Sequence, residues 1–280
     1  WTVATAQPCE RESAYFCIRV DDGGAQGSTV RTLLLDTLRH ATVDLTDPTW
    51  LGFAYTRAFG DVIDAMAPAG EAIDALHIGG GGFTMPRYVA ATRPGSTSLV
   101  LELDPQVLAT ARDELGLVTG DDLVVRTGDA RTAIADAPSD AFDLVVGDAF
   151  GGLAVPWHLT TRELVAEVAR TLRPGGLYIL NVIDYPPLAF ARAELATLAD
   201  VFQHVAVLGP PTLATGRSGG NVILLASDQP LPVGAILAAD EARGGANVLV
   251  SDADEVAEWV GDAEVLTDDF APVDQLLGHR

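Results

Sequence analysis

Three carboxylates stand where this chain could do chemistry: Glu102 in "LVLELD", Asp129 in "TGDA" and Asp148 in "LVVGDAF". Each follows an apolar run that reads as a buried strand, so each falls at a strand's carboxyl end. Ahead of them, Gly79, Gly80, Gly81 and Gly82 join the run "IDALHI" to the helix-like "MPRYVAATR". Glycines let the backbone approach a ligand closely and leave N–H groups free at a helix start. An acid about twenty residues beyond such a loop can accept both hydroxyls of a ribose, which is the role read for Glu102 against that of a surface acid. Asp129 is placed either to accept an adenine amino group or to cap the next helix. Asp148 ends an intensely apolar strand, where a partly desolvated carboxylate can act as a base or hold a cation. The G-x-G-x-x-G spacing of dinucleotide folds is absent, because position 84 is Thr and Pro86 follows.

Those residues need a scaffold that lines up strand ends. From residue 73 to 228 strand-like and helix-like runs alternate, which gives an α/β fold: a mostly parallel sheet covered by helices on both faces. The last two runs, "HVAVLG" and "NVILLAS", have no helix between them and are expected to pair antiparallel. Residues 14–43 read as β, with "DDGGAQGS" as a turn. "DPTWLGFAYTRAFGDVIDAMA" reads as a helix with Asp47 as N-cap, Pro48 at its first position, and a stripe of Leu51, Tyr55, Phe59 and Ile63. The layout expected is a β-hairpin domain over 1–46, a Rossmann-like nucleoside-binding domain over 47–228, and an acidic tail with short helices over 229–280.

Composition narrows the function. The 39 acidic residues against 17 basic ones give a net charge of −22, which repels nucleic-acid phosphates; such a surface attracts cations, polyamines included, but simple solubility is the reading preferred over substrate steering. Mean hydropathy is +0.24, high for a soluble protein, yet no apolar run is long enough to span a bilayer. Cys9 and Cys17 cannot build a metal site alone, so no metal is expected; the pair is either a small disulfide loop or two free thiols. The chain begins at Trp1 rather than Met, which reads as processing and leaves room for a membrane segment upstream. A soluble, cytoplasmic domain is expected, with a membrane-tethered or extracytoplasmic one as the alternative.

The order of "LLLDTLRH", "IGGGG", "LELD", "TGDA", "VVGDAF" and "LRPGGLYILNV" resembles the spermidine synthase family of aminopropyltransferases, and within it the actinobacterial spermidine-synthase-like domains often joined to membrane segments. The resemblance covers roughly residues 14–228 and the ending "LTDDFAPVDQLL". It implies an S-adenosylmethionine-dependent methyltransferase-type Rossmann fold, an N-terminal β-hairpin domain, a homodimer, and decarboxylated S-adenosylmethionine as donor to a small-molecule amine. It also implies that Glu102 holds the ribose, Asp129 the adenine, Asp148 is the catalytic aspartate and Tyr55 the active-site tyrosine.

The chain departs from that family on the acceptor side. The family's loop is similar but reads G-G-G-D-G, whereas Gly82 and Phe83 stand here. Losing a carboxylate from an ammonium site removes a charge-assisted hydrogen bond of ~1.5–3 kcal/mol and makes ordinary S-adenosylmethionine more admissible. The family's L-D-G-x-x-Q is matched by Leu35 to His40, and its Tyr-His-Glu by Tyr55, Thr56 and Arg57, a cation that would disfavour a polyamine if it faced the site. His40, Trp157 and His158 are the acceptor-side candidates, with a packed or solvent-exposed ring as the alternative for His158. The expected function is aminopropyl transfer with a non-standard acceptor site. The alternatives are a methyltransferase or a non-catalytic nucleoside-binding domain.

Overall fold

The apolar runs of the first 44 residues pair with one another. β1 (Arg11–Glu12), β2 (Cys17–Asp22), β3 (Val30–Leu35) and β4 (Leu38–Asp44) form an antiparallel sheet in chain order. The computed structural model describes residues 9–23, 27–152 and 154–278; Trp1 and the middle of the expected turn, 24–26, lie outside them. Of the two states open to Cys9 and Cys17 the structure has the disulfide, with their Cα atoms 5.2 Å apart. β3 and β4 turn at Asp36, whose backbone is left-handed (φ +56°) and whose carboxylate accepts from the Cys17 N–H at 3.0 Å. On β4 the partner of Leu33 is Ala41 and that of Leu34 is Arg39, so His40 is an extra, bulged residue. A bulge breaks the alternation of side chains and re-aims its neighbours.

The main sheet holds β5 (Asp74–Ile78), β6 (Thr97–Glu102), β7 (Leu123–Thr127), β8 (Phe142–Gly147), β9 (Leu172–Asp184), β10 (His204–Gly209), β11 (Gly220–Ser227) and β12 (Val248–Val250). Their order is β12-β10-β11-β9-β8-β5-β6-β7. β7, β6, β5, β8 and β9 are parallel. β11 runs antiparallel to β9 and to β10, as expected, although the connection between β10 and β11 is not free of helix: the four residues Pro211–Ala214 form one turn, too short to carry the chain across the sheet for a parallel return. The acidic tail contributes more than helices: β12 pairs antiparallel with β10 as the edge strand.

Helices cover both faces. They are α1 (Ala54–Ala65), α2 (Thr84–Thr92), α3 (Pro105–Glu114), α4 (Ala130–Ala135), α5 (Arg162–Thr171), α6 (Ala189–Val201), α7 (Pro211–Ala214), α8 (Val233–Ala242), α9 (Ala253–Val260) and α10 (Val273–Leu276). On one face Phe190, Leu195 and Leu198 of α6 pack with Val165 and Val168 of α5; on the other, Phe59, Val62 and Ile63 of α1 pack with Ile236 of α8. The N-terminal sheet shares a third cluster with the Rossmann part: Ile18, Leu33, Ala41 and Val43 meet Phe83 and Val107, Ala111 and Leu115. No helix among the described residues is long and apolar enough to cross a membrane.

One boundary differs from the sequence reading. α1 starts at Ala54, not at Asp47. The Asp47 carboxylate instead accepts from the Thr49 N–H at 2.9 Å and the Thr49 hydroxyl at 2.6 Å, closing a local turn that competes with helix. Trp50 then folds over Gly52, where a Cβ would lie 2.6 Å from the indole. Leu51 is buried beside the helix stripe but ahead of the helix.

Candidate active site

Strand order reverses at β5, which has β6 on one side and β8 on the other, so a crevice opens at the carboxyl ends of these strands. Along that edge the strands present, in spatial order, Asn221 on β11, Asn181 on β9, Asp148 after β8, the glycines after β5, Glu102 ending β6 and Asp129 after β7. At about 4.8 Å per strand the row spans roughly 24 Å. All these residues line one cavity of about 450 Å³, closed on its other side by the β3–β4 hairpin and the segment Phe53 to Thr56.

The glycine loop is tight because the protein itself crowds it. A Cβ on Gly79, whose φ is +97°, would sit 2.4 Å from the Asp148 carbonyl oxygen. A Cβ on Gly82 would sit 2.4 Å from the Ala41 Cβ on β4. The N–H groups expected to be free are partly used: Gly80 and Gly81 donate to one Glu102 oxygen at 2.9 and 3.1 Å, and Asp104 donates to the other at 2.8 Å. Glu102 thus ties the loop to the end of β6. Burial lifts its pKa above the usual carboxylate range, and these three N–H groups oppose that rise.

Gly82 is therefore a packing requirement before it is a missing charge. Gly82→Ala is expected to destabilise the protein by about 1–3 kcal/mol through overpacking, and Ala41→Gly in the same chain should restore most of the loss, both read as shifts in urea midpoint. Equal destabilisation with and without Ala41→Gly would contradict this contact.

Asp148 is held from two sides. One oxygen accepts from the Tyr55 hydroxyl at 3.1 Å, the other from the Asn181 amide at 2.9 Å, and the Asn181 oxygen accepts from the Asn221 amide at 3.0 Å. Burial pushes the Asp148 pKa up to about 6, while its bonds with Asn181 and Tyr55 pull the other way. Tyr55 is raised well above the ordinary phenol range by burial and by the adjacent carboxylate, so its proton stays on and points at Asp148. Such a site can take a proton near neutral pH.

Asp129 caps α4 by accepting from the Arg131 N–H at 2.7 Å, and its second oxygen lies 3.3 Å from His158 Nε2. His158 therefore sits at the Asp129 end of the cavity, far along the row from Asp148. Trp157 is half-exposed, lies edge-on to His158 and is absent from the cavity wall. His40 lines the wall beside Phe16, and burial lowers its pKa. Arg57 turns away from the cavity to the carbonyls of Leu51 and Gly52, so the condition under which it would repel a polyamine is not met.

Reading the chain as a sequence missed Asn181, Asn221, Phe53 and Arg39. A single Asn inside the apolar run "LYILNVI" and another at the head of "NVILLAS" were the available signals for the first two. No residue pattern marks Arg39, because the bulge that aims it depends on pairing with β3.

Residues 76–180 match the family described as a methyltransferase domain. A polyamine aminopropyltransferase of Vibrio vulnificus is 30% identical over 213 residues, covering 72% of this chain and 69% of that protein. A probable spermidine synthase from Corynebacterium glutamicum superposes with a TM-score of 0.84 at 27% identity, covering 94% of this chain and 97% of that one. Human methyltransferase-like protein 13, crystallised with SAH, shares the fold at a TM-score of 0.53 and 21% identity, over 80% of this chain and 97% of that one.

Proposed function

The chain belongs to the polyamine aminopropyltransferase family, and from that premise we propose that it is a transferase moving the aminopropyl group of decarboxylated S-adenosylmethionine to an amine. The observation that carries this reading is Asp148, a carboxylate with a pKa of about 6 held by Tyr55 and Asn181 beside the glycine loop. The nucleoside would lie along the loop, its ribose at Glu102 and its base beside the Asp129–His158 pair. Its sulfonium would then face Asp148. The acceptor nitrogen forms a bond to the carbon next to sulfur, the carbon–sulfur bond breaks, and the electron pair stays on sulfur as the thioether methylthioadenosine. The proton shed by the nitrogen goes to Asp148. Because the sulfonium is a good leaving group, the protein mainly supplies proximity, orientation and this base.

Methyl transfer is the second reading, since the same nucleoside site would serve it. Its chief support was Gly82, a loop without its carboxylate. The contact between Gly82 and Ala41 accounts for that glycine on packing grounds, which weakens the argument.

Calorimetric titration with decarboxylated S-adenosylmethionine, S-adenosylmethionine and methylthioadenosine tests the reading. Tighter binding of the decarboxylated donor than of the intact one is expected. The reverse preference would make methyl transfer the better description, and no binding of any of the three would remove both.

A further inference from the structure

The cavity's charges are unevenly placed. Among the described residues, the carboxylates lining it are Glu102, Asp129 and Asp148. Glu102 is engaged by the loop amides, and Asp129 by α4 and His158. The acceptor end beyond Asp148 therefore has no second carboxylate; its wall there includes Phe53, Phe150 and Ile183.

That end does hold a cation. Arg39 lines the cavity with its guanidinium carbon 5.7 Å from the centre of the Phe53 ring. Phe53 stacks on Tyr55 with centroids 5.9 Å apart, and Tyr55 reaches Asp148. Guanidinium, two aromatic rings and base thus form one continuous wall. Arg39 is exposed and has no carboxylate partner among the described residues. At the turn end of β4 and through the bulge at His40 the strand's alternation is broken, and four successive residues, Leu38, Arg39, His40 and Ala41, all line the cavity. A residue meant only for solubility needs no such bulge.

A diamine acceptor fits this end poorly. One nitrogen would give its proton to Asp148; the other would stay an ammonium and meet Arg39, a like charge, with no carboxylate to offset it. A carboxylate at the acceptor's far end would instead meet the forked N–H donors of a guanidinium, a match in both charge and shape.

We propose that Arg39 sets acceptor specificity by holding a carboxylate, so that the acceptor is a zwitterionic amine of the ω-amino acid class and not a diamine. This rests on the aminopropyl-transfer reading of the cavity. The reaction at nitrogen is unchanged: one carbon–nitrogen bond forms, one carbon–sulfur bond breaks, and one proton moves to Asp148.

The test is calorimetric binding of 4-aminobutanoate, 5-aminopentanoate and 1,4-diaminobutane to the protein saturated with methylthioadenosine. The wild type is expected to bind one of the amino acids at least tenfold more tightly than the diamine. Arg39→Ala should lose about that tenfold, and Arg39→Glu should reverse the order, both with methylthioadenosine affinity unchanged. A wild-type preference for the diamine, binding of neither class, or an unaltered ratio in both variants would overturn the proposal. So would a loss confined to S-adenosylmethionine in Arg39→Ala, since Arg39 would then read the donor's carboxylate. If methylthioadenosine itself fails to bind, the nucleoside reading falls, while the same titrations on the free protein still decide Arg39.

Discussion

Asp148→Asn is expected to lower kcat for aminopropyl transfer by about 10²–10⁴-fold while leaving methylthioadenosine affinity within a few-fold of the wild type. The asparagine keeps the shape and can still meet Tyr55 and Asn181, but it cannot take a proton. In the wild type the rate should climb with pH through about 6, where Asp148 loses its proton, and level off above. Replacing Asn181 by Leu removes a bond that lowers this pKa, so the limb should move to higher pH. The same shift makes a stability statement of known sign. The folded value lies above the ordinary 3.8, so the folded state binds more protons between about 4 and 6, and stability falls as pH rises through that window. Asp148→Asn escapes this cost and should melt at pH 7.5 no lower than the wild type. Full turnover in the variant, or a rate independent of pH between 5 and 8, would end the assignment of Asp148 as base.

Glu102→Gln is expected to weaken methylthioadenosine binding about hundredfold or more. Both carboxylate oxygens already accept backbone N–H groups, from Gly80 and Gly81 on one side and Asp104 on the other. A side-chain amide offers one acceptor and must aim its own donors at the remaining N–H groups. Hydrogen bonds to a charged acceptor are worth ~1.5–3 kcal/mol each, and ~1.4 kcal/mol is tenfold in affinity. On the proposed placement of the nucleoside the loss would arise twice, once in the loop's geometry and once at the ribose. Hydrogen exchange at the Gly80 and Gly81 amides separates the two, since only loop loosening accelerates it. A folded Glu102→Gln that binds methylthioadenosine as tightly as the wild type would remove both roles.

The alternation of strand and helix, the two-sided covering of the sheet and the antiparallel close of β10 and β11 were legible in the residues, because strand-like apolar runs and turn residues are local signals. The order of Gly79 to Gly82, Glu102, Asp129 and Asp148 at successive strand ends was legible for the same reason: a strand's end marks itself, and parallel strands align their ends. The start of α1 was not, because the Thr49 N–H and hydroxyl claim the Asp47 carboxylate in a turn that a stretch of good helix residues does not announce.

By itself, then, the amino-acid sequence determined the fold class and the row of strand-end residues along one edge, since both follow from periodicity and from residue type. Tertiary structure alone decided what crowds the glycines and which side chains line the cavity around Asp148. Gly79 and Gly82 are crowded by Asp148 and Ala41, residues 69 and 41 positions away along the chain. Asn181 meets Asp148 only when β9 pairs beside β8, Asn221 meets Asn181 only when β11 pairs with β9, Arg57 turns out to the carbonyls before α1, and Arg39 turns in at a bulge set by β3. Each is a contact or an orientation between distant segments, and such contacts depend on register and packing, which local patterns of residues do not encode.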